Sequence, residues 1–153
     1  MALFGSPKSS GLNPAIEACR IGSESSDRGT VAKAQDALLS ALQPGESLGW
    51  VTPDIDGGSV IAATNMRVLE FYKSRLWASL PGRQIESTEI RQSQFFGNRS
   101  HSFKHSLKIS WHGGPLRDEM KGGQYSNMFL WITRWEYAEI DHMAVTLRKQ
   151  FGF

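Results

Sequence analysis

The residue types able to do chemistry are few in this chain, and their spacing is wide. His101, His105 and His112 form a small histidine cluster. On a helix, His101 and His105 at i and i+4 could chelate a metal ion. Their context is a strand, where four residues span roughly 13 Å, so they cannot share one ion without a sharp bend. Asp54 and Asp56 in "DIDGG" suggest calcium, but the further ligands of an EF-hand are missing and a polar turn is the expectation. Cys19 is the single cysteine; it cannot form an internal disulfide, and an idle thiol is expected there. The glycine pairs in "HGG" and "KGG" stand alone and read as turns, not as a phosphate-binding loop. No nucleophile-elbow pentapeptide is present. No catalytic, metal or cofactor site follows from these residues, and a chain without enzymatic activity or small-molecule substrate is expected.

Two other groups of side chains could bind a partner. Arg67, Lys73, Arg75, Arg83, Arg91, Arg99, Lys104 and Lys108 make the middle third locally basic, since Glu86 and Glu89 are the only acids between Phe71 and Arg117. If they share a face, Arg67, Lys73, Arg75, Arg83 and Lys108 are candidates for an anionic-ligand surface, lipid or nucleic acid. If they scatter, they are solvated strand faces and edges. The chain also has 5 tryptophans. Trp111 and Trp131 fall in predicted strands, so at least one is expected in the core. Trp135 begins a predicted helix and is the candidate interface anchor.

Length and composition set the frame. The 153 residues suggest one domain with a tail, and a net charge of +2 gives no overall basic excess. No stretch approaches the roughly 18 apolar residues of a membrane-spanning helix. The segment "MALFGSPKSS" does not read as a secretory leader, because its apolar run breaks at Gly5 and Pro7. A cytoplasmic protein is expected.

The elements that must position these residues follow from periodicity. Residues 1–29 are rich in Ser and Gly and read as a flexible segment. Within it "NPAIEACRIG" suggests a short helix, with Asn13 as cap and Pro14 in the first turn. In "TVAKAQDALLSALQPG", Val31, Ala34, Leu38, Leu39 and Leu42 form a helical stripe, Thr30 is the expected cap, and Pro44-Gly45 ends the run. From Glu46 to Thr133 the period becomes two. Strands are expected in "ESLGWVT", "VIAAT", "RVLEFY", Arg75–Leu80, Gln84–Phe96, "HSLKISWH" and "NMFLWIT", with "HGGPLRDEMKGGQYS" as a loop. In "HSLKISWH", His105, Leu107, Ile109 and Trp111 share one face. Asn65 suits a tight reversal between "VIAAT" and "RVLEFY", because Asn tolerates left-handed backbone and its side chain bonds its own turn. "TRWE" fits a capping box with Thr133 as cap, and Tyr137, Ile140, Ala144, Leu147 and Phe151 form the stripe of a helix from Arg134 to Gln150.

The motifs "LQPGE" at Leu42–Glu46 and "TNMRVL" at Thr64–Leu69, in this order and followed by a closing helix, resemble those of bacterial pleckstrin-homology-like (PH-like) domains. The resemblance covers about residues 31–153. It implies a mostly β, α+β fold: an antiparallel barrel or bent sandwich of about seven strands, closed by a C-terminal amphipathic helix. Here it is preceded by an N-terminal helix, with the domain at residues 30–153. It implies a scaffold or interaction module without catalytic activity, which binds protein or self-associates. One departure bears on the ligand. The loop "TPDIDGGS" carries Asp54 and Asp56 and no base, so an inositol-lipid head group is disfavoured there. Binding of an anionic membrane surface or nucleic acid through the basic strands is the alternative.

Overall fold

The computed structural model describes residues 11–94, 103–114, 116 and 129–153. The expectations for the first ten residues, for His101 and for most of the loop after Trp111 lie outside the described residues. The described chain is α+β and mostly β, with three helices and two antiparallel sheets. Helix α1 is Pro14–Cys19 and α2 is Ser25–Ala41. Strands β1 (Leu48–Pro53), β2 (Val60–Thr64), β3 (Arg67–Tyr72) and β4 (Arg75–Pro81) form a four-stranded sheet in sequence order. A 3-10 turn, Gly82–Gln84, leads to the three-stranded sheet of β5 (Ile85–Gln94), β6 (Phe103–Trp111) and β7 (Phe129–Arg134). Helix α3, Tyr137–Phe151, ends the fold. Neither sheet closes on itself.

Two cores share the four-stranded sheet. Trp50, Ile61, Ala63, Val68 and Leu80 face Leu107, Ile109, Trp111 and Ile132 of the second sheet, and Ile140, Met143, Ala144 and Leu147 of α3 close that core. On the sheet's other face, Val51, Val60, Ala62, Leu69 and Phe71 pack against Ile16, Val31, Ala34 and Leu38 of α1 and α2. Strand β2 is therefore buried at every residue, one parity to each core.

Several boundaries differ from those the sequence suggested. Helix α2 starts at Ser25, so the expected boundary at residue 29 falls inside it and Thr30 is not its cap. Glu24 takes the cap position, and its backbone N–H donates to Asp27 Oδ2 at 3.3 Å. Leu39 turns to solvent because the stripe on the sheet is Val31, Ala34 and Leu38. Thr133 is no helix cap: it is buried in β7, its hydroxyl 3.0 Å from Ser106 Oγ, and α3 begins three residues later than expected, after Glu136. Asn65 does not take left-handed backbone; Lys73 (φ 51°) and Ser74 (φ 62°) do, in the β3–β4 turn. Both central residues at positive φ make that turn the kind whose twist matches the flanking strands.

Asn65 acts through its side chain, which bonds the neighbouring Gly45–Ser47 segment and not its own turn. Its Oδ1 accepts from Ser47 N at 2.9 Å and its Nδ2 donates to Gly45 O at 3.1 Å. Beside it, Glu46 accepts from Thr64 Oγ1 at 2.6 Å and receives Arg67 Nε at 2.9 Å and Nη2 at 3.0 Å. Arg67 also reaches Ala41 O at 2.7 Å, at the end of α2, and Ser79 Oγ on β4 at 3.1 Å. The "LQPGE" and "TNMR" segments are thus two halves of one clamp that seats the end of α2 on the β2–β3 turn. The hydrogen bond from Arg67, opposed by burial and reinforced by those from Thr64 and Gln43 N, lowers the Glu46 pKa from its ordinary 4.5 to about 2.

A second polar contact is deeply buried. Arg134 Nη1 and Nη2 donate to Asp27 Oδ1 and Oδ2 at 3.0 and 2.8 Å, its Nε donates to Glu139 Oε1 at 2.9 Å, and Nη1 also reaches Pro53 O at 3.1 Å. Gly22 borders this pair: a Cβ there would overlap both Asp27 and Arg134, and its φ of +117° already excludes most side chains.

Two outcomes are expected. Asp27→Ala leaves a buried guanidinium short of its main partner and lowers unfolding free energy by about 3 kcal/mol, while Asp27→Leu with Arg134→Met recovers most of the loss. Urea unfolding of the single and double variants checks this. Glu46 is held below its ordinary pKa, so its contribution is complete above pH 4.5 and lost as pH falls toward about 2. The shift corresponds to about 3 kcal/mol, and Glu46→Gln should remove that segment of the acid-stability curve.

Candidate functional site

The bases singled out from the sequence do not converge. Arg67 is committed to the Glu46 clamp, with its side chain 14% exposed. Lys73 and Arg75 do come together, on the β3–β4 hairpin at the opposite end of β3, where Lys73 Nζ lies 5.5 Å from the Tyr72 ring. Arg83 is exposed in the 3-10 turn that joins the sheets, and Lys108 sits on β6 in the other sheet.

The residues first examined for chemistry have structural partners. His105 Nδ1 donates to Trp135 O at 3.0 Å. His112 is exposed, just beyond β6. Cys19 Sγ donates to Ala15 O at 3.3 Å, and burial pushes its thiol pKa up, away from the reactive range. Among the described residues, no three of His, Cys, Asp and Glu gather as a metal-binding group. Asp54 and Asp56 belong to a turn: Asp54 Oδ2 accepts from Gly57 N and Oδ1 from Thr133 N, each at 2.9 Å. Burial pushes the Asp54 carboxyl up, and these backbone donors oppose it. A cleft of about 340 Å³ lies here, lined by Glu24, Asp27, Thr30, Asp54, Ile55 and Trp135. Its acidic lining disfavours an anion, and Asp27 is already neutralised by Arg134.

The outer face of β5–β6–β7 is different. In the register, Glu89, Lys108 and Trp131 form one row, Arg91, Ser106 and Thr133 the next, and Ser87, Ser110 and Phe129 a third. Phe129 is 40% exposed and Trp131 39% exposed. Lys108 Nζ stands 3.9 Å from the Phe129 ring centre and 5.8 Å from that of Trp131. Arg91 approaches Trp131 at 5.5 Å and forms an ion pair with Glu89 at 3.1 Å. Trp135, one residue past β7, is half-buried and carries Lys104 Nζ 5.7 Å from its ring. Lys104 in turn pairs with Asp56 at 2.7 Å. Two aromatic side chains of one parity, Phe129 and Trp131, thus lie on β7, each with a cation near its ring, while Trp135 lines the cleft at its end. Cations so placed contribute about 0.5–1 kcal/mol each at exposed sites.

Sequence reasoning named Lys108 and Arg91 among the bases that could share a face but did not place Phe129 and Trp131 beside them, and its interface anchor, Trp135, lines the cleft instead. In "NMFLWIT" both parities are apolar, so alternation cannot say which face is inside. The signal lay in β6: once Leu107, Ile109 and Trp111 are inside, Lys108 must be outside, and Trp131 pairs with Lys108. Among the described residues no helix covers this face, whereas α1 and α2 cover the outer face of the other sheet.

No protein-family model, no curated protein and no solved structure matches this chain. The geometry alone therefore carries the functional argument. No helix among the described residues is long and apolar enough to cross a membrane.

Trp111→Ala should cost about 3–5 kcal/mol because it empties the core between the sheets. Trp131→Ala should cost under about 1 kcal/mol because its ring already faces water. Paired denaturation curves distinguish a core ring from a presented one.

Proposed function

We propose that this chain is a non-catalytic interaction module of the PH-like kind, which binds protein, a second copy of itself included, through the outer face of β5–β6–β7. The observation that carries this reading is the aromatic row Phe129–Trp131 left half-exposed on a sheet face that no helix among the described residues covers. Adjacent exposed apolar rings, unlike single ones, mark interaction surfaces, and aromatic residues are frequent anchors of protein interfaces. The order of four antiparallel strands, three more, and a helix that closes the core between them supports the PH-like reading. The side chains with acid–base potential support the non-catalytic one, since His105 holds a backbone carbonyl and Asp54 holds backbone amides.

The rival reading, an anionic membrane or nucleic-acid surface, draws on Lys73 and Arg75 sharing one hairpin. Co-sedimentation with neutral and anionic vesicles over a salt series separates the two. No sedimentation at low salt is expected; binding to anionic vesicles alone, lost as salt rises, would replace the protein-binding reading. Trp131→Glu is expected to abolish capture of a protein partner without changing the circular dichroism spectrum, while Lys73→Glu leaves capture unchanged.

A further inference from the structure

The edge of β7 bounds what can dock beside the aromatic row. At its C-terminal end the edge is already filled: Thr133 N donates to Asp54 Oδ1 at 2.9 Å and Thr133 O accepts from Ile55 N at 3.1 Å. The outward backbone groups of an antiparallel edge strand belong to alternate residues. The next ones along β7 are therefore those of Trp131 and Phe129. Among the described residues no strand pairs with them, since β7 is last in its sheet.

Edge strands of natural sheets are guarded by charge or proline against pairing with another chain. The other open edges here follow that rule. Strand β4 begins at Arg75 and ends at Pro81, and β5 carries Glu86, Glu89 and Arg91. Strand β7 differs: its one charged residue, the terminal Arg134, is buried against Asp27, and from Phe129 to Thr133 it reads Phe-Leu-Trp-Ile-Thr, with neither charge nor proline. An unguarded edge beside exposed aromatic rings is the surface that a strand of a partner would cover.

We infer that β7 pairs antiparallel with β7 of a second copy of this chain, across a two-fold axis at Leu130, to join two three-stranded sheets into one of six strands. This rests on the protein-binding reading of the face and names its partner. The register follows from the cap at Thr133. Centring the pair on Trp131 would place Phe129 against the partner's Thr133, whose edge is filled. Centring it on Leu130 sets Phe129 against the partner's Trp131, and Trp131 against the partner's Phe129. Each such pair exchanges two N–H···O bonds. On the outer face each pair is aromatic on aromatic, the combination that antiparallel neighbours favour. The two Lys108 side chains flank the row three strand spacings apart, roughly 14 Å, beyond the Debye length of about 8 Å at physiological salt, so they do not oppose the pairing. Short edges bury little area, and a dimer that dissociates on dilution is expected.

Register-specific cross-linking tests this on the full chain. On a Cys19→Ser background, Leu130→Cys faces its own equivalent across the axis in a non-hydrogen-bonded pair about 4.5 Å apart, within disulfide reach. Mild oxidation should give a covalent dimer that reductant reverses. Phe129→Cys on the same background should stay monomeric. Cross-linking through Phe129→Cys and not Leu130→Cys would overturn the register. Independently, sedimentation velocity of the unmodified chain should show a dimer fraction that grows with concentration. Trp131→Lys should remain a monomer with an unchanged circular dichroism spectrum. A wild-type monomer throughout the concentration series, or a Trp131→Lys variant that still dimerises, would overturn the proposal. If the wild type is monomeric yet Trp131→Glu still abolishes capture of another protein, the dimer falls while the function assigned to the face stands.

Discussion

Everything in this fold meets at the guanidinium of Arg134. It is the last residue of β7, and its donors reach Asp27 in the first turn of α2, Glu139 in the first turn of α3 and the carbonyl that ends β1. Burial alone would lower the Arg134 pKa; its hydrogen bonds to Asp27 and Glu139 outweigh that and leave the group more basic than usual. A charge so buried offers little net stabilisation over apolar side chains, but it cannot be left unpaired. Its influence is thus on geometry. Any arrangement that moves α2 away from the end of β7 strands the charge, and any residue but glycine at Gly22 would crowd it.

That contact also explains where the sequence was readable and where it was not. Helix α3 was legible because Ile140, Ala144 and Leu147 repeat at helical spacing, and all are buried. Strand β6 was legible because Leu107, Ile109 and Trp111 alternate with polar residues, and one sheet face is dry and the other wet. The start of α2 was not, because "SSDRG" carries no apolar stripe; its first turn is held by Asp27 against a residue 107 positions away. The capping-box pattern at Thr133–Glu136 misled for a related reason: β7 continues through Thr133, whose backbone bonds Asp54 and Ile55. Of the surface, Lys108 and Arg91 could be picked from the chain as bases, but their aromatic neighbours required strand register, which periodicity alone does not supply.

The two polar clusters divide the work of holding the layers. The Glu46–Arg67 clamp fixes the C-terminal end of α2 to the β2–β3 turn and to β4, and Asp27–Arg134 fixes its N-terminal end to β7. The helix is therefore tied at both ends across the face of the four-stranded sheet. With that face covered, the exposed rings Phe129 and Trp131 lie on the opposite side, beside Lys108.

Strand β2 offers one more consequence. Val60 and Ala62 belong to the core under the helices, and Ile61 and Ala63 to the core between the sheets. A slip of one residue would exchange the two sets, placing each in a cavity shaped for the other. The two cores therefore cannot form in alternative registers independently of each other. Opening either one strips a face from the same strand, so partial unfolding of one half weakens the other. In exchange with heavy water, the amides of β2 should be the last to open, on a timescale set by loss of the whole domain rather than by fraying of either layer.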